Sequence, residues 1–402
     1  MKHLKKFLER IIEGILTLSG TVTSITILLI ILFLFTEGIG LFNSPSVEKG
    51  YALYTHSDNK VDDLNVSQIK SIFDLEITNW QEVGGENQEI YLFRFNDIFN
   101  MYSEDELGEN YNLLPQKFEE IIVENPNIIA YLPTRYGPEE KARIKILPTQ
   151  NISASDFFGG KEWIPTTKPA PLFGVLPLIT GTLLVSLLAI IIALPLGIGV
   201  AIYMSELASE RNRKILKPTI ELLAGIPSVV YGFFGLVVLV PIVQKAFDIP
   251  VGETAFTGSL VLAIMALPTI ITVAEDSMRS TPRAMREASL ALGATQWQTI
   301  YKVVIPYSAS GISAAVVLGI GRAIGETMAV LMVTGNAALM PTSLFEPVRT
   351  IPATIAAELG EAPVGGVHYE ALFLLGCILF ILTLIISIIV EITSKKQINN
   401  GL

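Results

Sequence analysis

The sequence predicts an all-α polytopic membrane protein interrupted by a small water-soluble α/β insert. Three observations carry that expectation. Of 402 residues, 50% are hydrophobic and 16% charged, with a mean hydropathy of +0.52, more apolar surface than a soluble fold can hide. Six stretches are long enough to cross a bilayer, which takes about 20 apolar residues at roughly 1.5 Å each. The charge is also segregated: residues 37–168 hold 22 acidic and 11 basic side chains, whereas the whole chain sums to −10.

In chain order, the first run, 14–36, follows a basic start containing Lys2, Lys5, Lys6 and Arg10. A basic start before an apolar core also describes a signal peptide, but this core is too long and no small-residue cleavage site follows Phe35, so an uncleaved anchor is expected. The acidic block comes next. Between Lys49 and Thr149 it reads as helix at 64–73, strand at 89–95, helix at 115–126 and strands at 128–132 and 142–147. The second apolar run, 169–205, exceeds one span, so its ends are expected to project from the bilayer. Runs at 222–244 and 254–274 follow, then one from Val303 past two charges to about Val333, and a last at 371–390. The resulting division is 1–45 for the N-terminal segment and anchor, 46–165 for the insert and 166–402 for a five-span core.

Short loops rich in Lys and Arg stay cytoplasmic. With six crossings, Arg211, Arg213, Lys214 and Lys217, then Arg279, Arg283, Arg286 and Lys302, and finally Lys395 and Lys396 all fall on the side of the N-terminal basic cluster. Both termini are then cytoplasmic and the acidic insert is outside.

The loop before the fifth run, 283–306, reads RAMREASLALGATQWQTIYKVVIP. Met285, Ala288, Leu290, Ala291 and Leu292 suggest a short amphipathic helix broken at Gly293, with a second helix starting near Thr295 to Gln298. Such an elbow is either a knob for a partner protein or an ordinary interfacial loop; periodicity alone does not choose.

Within the fifth run, entry near Gly311 would put Arg322 about 16 Å deep. Glu326 is expected one turn further along the same face, followed by Thr327. An unpaired Arg at mid-bilayer costs about 2.5–3.5 kcal/mol on insertion scales, so it turns inward. One reading is a self-neutralising pair that holds helices together. The other is an oxyanion path, in which the guanidinium fork contacts the anion and Glu326 keeps binding weak enough for release. Gly321 and Gly325 have the small-xxx-small spacing of close helix packing, and Pro227, Pro241 and Pro268 look like kinks.

The fourth-to-fifth loop carries a specific resemblance. Glu287, Ala288, Gly293 and Pro306 fall in the spacing of the EAA motif of ABC importer permeases, with Ser289, Val303 and Ile305 as mild departures. LLAGIPSVVYGFFGLVVLVP, LPTIITVAEDSMRSTPRAMREASLALGAT and GIGRAIGETMAVLMVTGN closely resemble the phosphate-specific permeases of the PstC type, across about 158–390. That resemblance implies a MetI-like bundle in a bacterial inner membrane, translocating inorganic phosphate. It places ATPase coupling at Glu287, Ala288, Ser289 and Gly293, and the substrate path at Arg322, Glu326 and Thr327. The implied partners are a second permease of the PstA type, an ATPase dimer of the PstB type and an extracytoplasmic phosphate-binding protein, with ATP and Mg held by the ATPase rather than this chain.

The insert resembles pieces of that phosphate-binding protein at VSQIKSIFDLEITNWQEVGG and NPNIIAYLPTRYG. Where the binding protein has a Gly-Ser-Gly-Thr helix start, this chain has Asn96-Asp97-Ile98-Phe99-Asn100. A degenerate lobe that docks or regulates the binding protein is expected, against a spacer or a phosphate site.

Several classes are excluded. The pI near 5.0 and lack of a basic, aromatic-interleaved run argue against nucleic acid. Cys377, the single cysteine, allows no intrachain disulfide, and His3, His56 and His368 are scattered, so no metal or catalytic group is expected. There is no G-x-x-x-x-G-K-[ST] loop, so ATP hydrolysis by that route needs a separate subunit. Alternatives to phosphate are another oxyanion, sulfate or molybdate, or a membrane-bound sensor.

Overall fold

The computed structural model describes residues 2–139 and 143–400, which divide into two compact units, Met1–Gly38 with Pro177–Leu402, and Ile39–Leu176. Ala142, the expected start of the last insert strand, lies outside the described residues, as do the side chains of Lys2, Lys5, Lys6, Lys395 and Lys396.

The Ile39–Leu176 unit is α/β. Strands β1 (Tyr51–His56), β2 (Tyr91–Arg94), β3 (Ile128–Pro133) and β4 (Ile144–Leu147) form one sheet in the order β2-β3-β1-β4. β1 is antiparallel to both neighbours, and β2 is parallel to β3. Helix α2 (Val66–Phe73) starts at a reciprocal cap between Asn65 and Gln68, and α3 (Leu114–Glu124) has a proline in its first turn. β3 reads IIAYLP and is buried throughout, because both its faces are covered. Ile128, Ala130 and Leu132 pack with α3 residues Phe118, Ile121 and Ile122; Ile129 and Tyr131 pack with α2 residues Ile69, Ile72 and Phe73. Helix α4 (Ala154–Gly159) and a two-residue ladder of β5 (Trp163–Ile164) with β6 (Leu172–Phe173) complete the unit.

The other unit is helical. Among the described residues, five helices are long and apolar enough to cross a membrane: Ile12–Asn43, Leu176–Leu207, Ser228–Phe247, Ala255–Arg279 and Val367–Ile392. The first belongs to α1 (Lys2–Ile39); the second is α5 (Leu176–Ile202) with a π turn at Tyr203–Leu207. After α6 (Glu210–Ala224) comes a span assembled from α7 (Ser228–Phe234), a π turn and α8 (Val240–Phe247). Span 222–244 therefore starts later than its apolar run: Leu222, Leu223 and Ala224 end α6, and Gly225–Pro227 break the chain before α7. The fourth is α9 (Ala255–Arg279), capped by the Thr254 hydroxyl.

The fifth span departs most from expectation. Instead of one helix from Val303 to Val333, the chain after the elbow helix α10 (Arg283–Ala291) runs through α11 (Gln296–Thr299), a π turn, α12 (Ile305–Tyr307), α13 (Ala309–Gly325) and α14 (Met328–Val333). The pair Gln296–Tyr307 and Ala309–Gly325 is bent by 71° and makes a sixth span if counted as one. The bend sits at Ser308, whose hydroxyl turns back onto the Val304 carbonyl. α15 (Ile351–Glu358) and α16 (Val367–Asn400) close the bundle.

Side chains of α5, α7, α9, α13 and α14 share one apolar core around Ala189, Met265, Ile270, Val330 and Val333. Close approach uses glycines other than the expected pair. A Cβ on Gly319 would meet Ile270 at 2.8 Å, and one on Gly197 would meet the same residue, whereas Gly321 and Gly325 have nothing within 4 Å. The small-xxx-small spacing thus does not mark the packed face of α13 within this chain; Gly319 does. Pro268 lies inside α9, while Pro227 caps α7 and Pro241 sits in the first turn of α8.

Candidate functional site

Arg322 stands in the last turn of α13, half-buried, and its Nη1 donates to Thr269 Oγ1 at 3.3 Å. Thr269 follows Pro268 in α9, so the guanidinium is held by the neighbouring helix. The expected alignment with Glu326 fails. α13 ends at Gly325, and Glu326 is extended at φ −71°, ψ 132°, so the two residues are not one turn apart on a common face. Among the described residues they form no ion pair, which removes the geometry of a self-neutralising pair. Glu326 instead accepts from the backbone N–H of Ala329 at 3.4 Å, at the start of α14, where the helix dipole favours a carboxylate. The Thr327 hydroxyl donates to the Gly325 carbonyl at 3.3 Å. Gly325 and Thr327 open onto a cavity of about 500 Å³ walled by Pro352, Ile355, Ala356 and Leu379. A bundle interior thus holds a cation beside a break in the helix, where backbone groups are freed.

The elbow forms as its residues demand. α10 ends at Leu292, Gly293 turns the chain at φ +86°, and Thr295 caps α11 in a reciprocal pair with Gln298. α10 has no buried residue. Glu287, Ala288, Leu290 and Gly293 are exposed, with Leu292 at 89% and Trp297 at 64%. Ser289 differs from its neighbours: its hydroxyl meets that of Thr299 at 2.9 Å, closing the elbow from inside.

In the insert, the turn after β2 occupies its own donor. The Asp97 carboxylate accepts the Arg94 backbone N–H at 2.7 Å, and the Arg94 side chain donates to the Phe73 carbonyl at 2.9 Å. An anion at that turn would have to displace a carboxylate. Among the described residues no cluster of His, Cys, Asp or Glu could hold a metal ion.

Three polar groups escaped sequence reasoning. Glu275, buried in α9, accepts from Arg213 at 2.7 Å and Lys217 at 2.8 Å, and Lys217 also reaches Asp276. Glu206 accepts from Arg286. Glu358 lies 2.8 Å from both Arg349 and His368, so His368 is engaged rather than isolated. The available signal was acidic residues at the ends of apolar runs, amid basic residues read only as orientation markers.

The sequence matches the family model described as binding-protein-dependent transport system inner membrane component over residues 193–399. It is 42% identical over 246 residues to the "Probable ABC transporter permease protein YqgH" of Bacillus subtilis, covering 61% of this chain and 79% of that protein. It is 41% identical over 249 residues to the "Phosphate transport system permease protein PstC" of Mesorhizobium japonicum, covering 57% and 75%. Among solved structures it is similar to a bacterial ABC transporter involved in the import of the acidic polysaccharide alginate, at 19% identity and a TM-score of 0.43, covering 55% of this chain and 79% of that one. The chain therefore belongs to the binding-protein-dependent transport system inner membrane component family, as a multi-pass permease of the ABC transporter type.

Proposed function

We propose that this permease carries inorganic phosphate into the cytoplasm, driven by ATP hydrolysed on a separate subunit. The observation that carries the reading is Arg322: a guanidinium inside the bundle, held through a neutral threonine and free of any carboxylate partner among the described residues, retains N–H donors for an oxyanion. Relatives named as phosphate permeases support the choice of anion. Glu326 and Thr327, at the break after α13, form the adjoining stretch of the path.

The exposed face of the elbow, Glu287, Ala288 and Gly293, is the surface offered to the ATPase, with Ser289 holding its two arms together. A second permease of the PstA type, an ATPase dimer of the PstB type and an extracytoplasmic binding protein complete the importer; ATP and Mg reside on the ATPase. Both termini and the elbow are cytoplasmic, and the Ile39–Leu176 unit is outside, where it docks or regulates the binding protein.

Uptake of labelled phosphate into proteoliposomes carrying the assembled complex tests this. Uptake that needs ATP, resists competing sulfate and disappears in Arg322→Ala, with the complex still assembled, is expected. Competition by sulfate would reassign the anion, and loss of assembly would return Arg322 to a structural role. Labelling single cysteines placed at Leu75 and Leu292 with an impermeant reagent checks sidedness: outside label is expected at 75 only.

A further inference from the structure

The elbow is tied to the bundle through an ion pair whose carboxylate end is nearly buried and whose guanidinium is partly exposed. Glu206, in the π turn ending α5, has a side chain 9% exposed. Its Oε1 accepts from Arg286 Nη2 at 2.8 Å and its Oε2 from Arg286 Nε at 3.1 Å, a two-pronged match. The same guanidinium donates from Nη2 to the Met278 carbonyl at 2.9 Å and from Nη1 to the Thr281 carbonyl, at the end of α9. The backbone carbonyl of Glu206 accepts from Gln296 Nε2 at 3.1 Å, on the second arm of the elbow. One pair therefore meets α5, α9, α10 and α11.

We propose that Glu206 and Arg286 form the pivot through which movement of the elbow reaches the substrate path. α10 has no buried side chain, so apolar packing cannot drag the bundle with it; a displacement acts through its polar ties, of which Arg286 is the densest. Arg286 holds the C-terminal turn of α9, and that helix carries Thr269, the residue bonded to Arg322. Met278 and Thr269 are nine residues apart on one continuous helix, roughly 13 Å, short enough to move as a rigid rod. Glu206 and Arg286 are positioning residues, acting through α9 and not on the anion. The pivot rests on the proposed importer function.

The whole importer, reconstituted with its ATPase, second permease and binding protein, tests it with Glu206→Gln and Arg286→Lys. Both keep side-chain bulk and lose the two-pronged pair. Three readouts separate the outcomes: ATPase subunit retained on purification, ATP hydrolysed, and labelled phosphate taken up per ATP. Full retention of the ATPase and basal hydrolysis are expected, with phosphate per ATP reduced about tenfold, a usual size for energetic coupling between sites. Glu206→Asp, which keeps the charge, should fall between the wild type and Gln. An unchanged ratio in either variant overturns the pivot, as does loss of the ATPase subunit in both, which would make the pair part of the docking site alone. Failure of the wild-type complex itself to take up phosphate would overturn the importer reading, and is distinguishable because it appears without any substitution.

Discussion

A single hydroxyl defines how Arg322 is presented. Thr269 Oγ1 is 3.3 Å from the guanidinium, a long bond to a charged donor, so its removal is expected to cost about 1 kcal/mol. Thr269→Val should raise the KM for phosphate about fivefold with kcat little changed, and Thr269→Ser should restore it, read from initial uptake rates. Glu275 presents the opposite case. Its carboxylate is buried, with Arg213 Nη2 and Lys217 Nζ within 2.8 Å, while the buried Arg213 Nε has no hydrogen-bond partner among the described residues. Breaking a buried pair costs about 3–5 kcal/mol, but these cations are 21% and 30% exposed and recover some hydration. Glu275→Ala is therefore expected to destabilise the bundle by about 2 kcal/mol, seen as a lower melting temperature in detergent. Thr269 is not marked in the sequence as a partner, because Arg322 is 53 positions away. For Glu275 the sequence shows only Arg279, four residues along α9 and 3.6 Å away, while the shorter bonds come from Arg213 and Lys217, 62 and 58 positions away.

At the scale of elements, the elbow was legible and the span beyond it was not. Gly293 between an amphipathic stretch and a Thr-x-x-Gln cap is a local signal, since positive φ and capping are decided within four residues. Gly293→Val has open space around it but the wrong backbone, and should weaken retention of the ATPase subunit at little cost to the bundle, measured by co-purification. The run from Val303 to Val333 shows no such signal: apolar composition is the same in a straight helix and in one bent by 71° and broken at Glu326. The loop before α15 offers a pH test. Bonds from the Thr342 hydroxyl and backbone hold the Glu346 carboxyl below its ordinary value. A depressed folded value means the loop is fully held above the ordinary carboxylate range and loosens as pH falls through the native value. Protection of the Thr342 and Ser343 amides, taken relative to the intrinsic exchange rate at each pH, should fall on acidification and, in Glu346→Gln, be low at neutral pH already.

For the whole molecule, two compact units with separate apolar cores predict separate folding. The Ile39–Leu176 unit covers its sheet on both faces, so the excised segment should melt in one cooperative transition by circular dichroism; a gradual loss would show dependence on the bundle. Taken alone, the sequence determined the polytopic helical class, the acidic α/β insert, the family motifs and the elbow, because hydropathy, period and capping are local quantities. It also located both helices that cover the insert sheet. The tertiary structure alone decided that YALYTH is the strand paired with both β3 and β4, that Gly319 and not Gly321 meets α9, that Arg322 is bonded to Thr269 instead of Glu326, and that Glu206 grips Arg286. Each of these depends on which distant segments lie side by side. Pairing across tens of residues is settled by the packing of the whole core, and a linear pattern of apolar and charged residues contains no term for it.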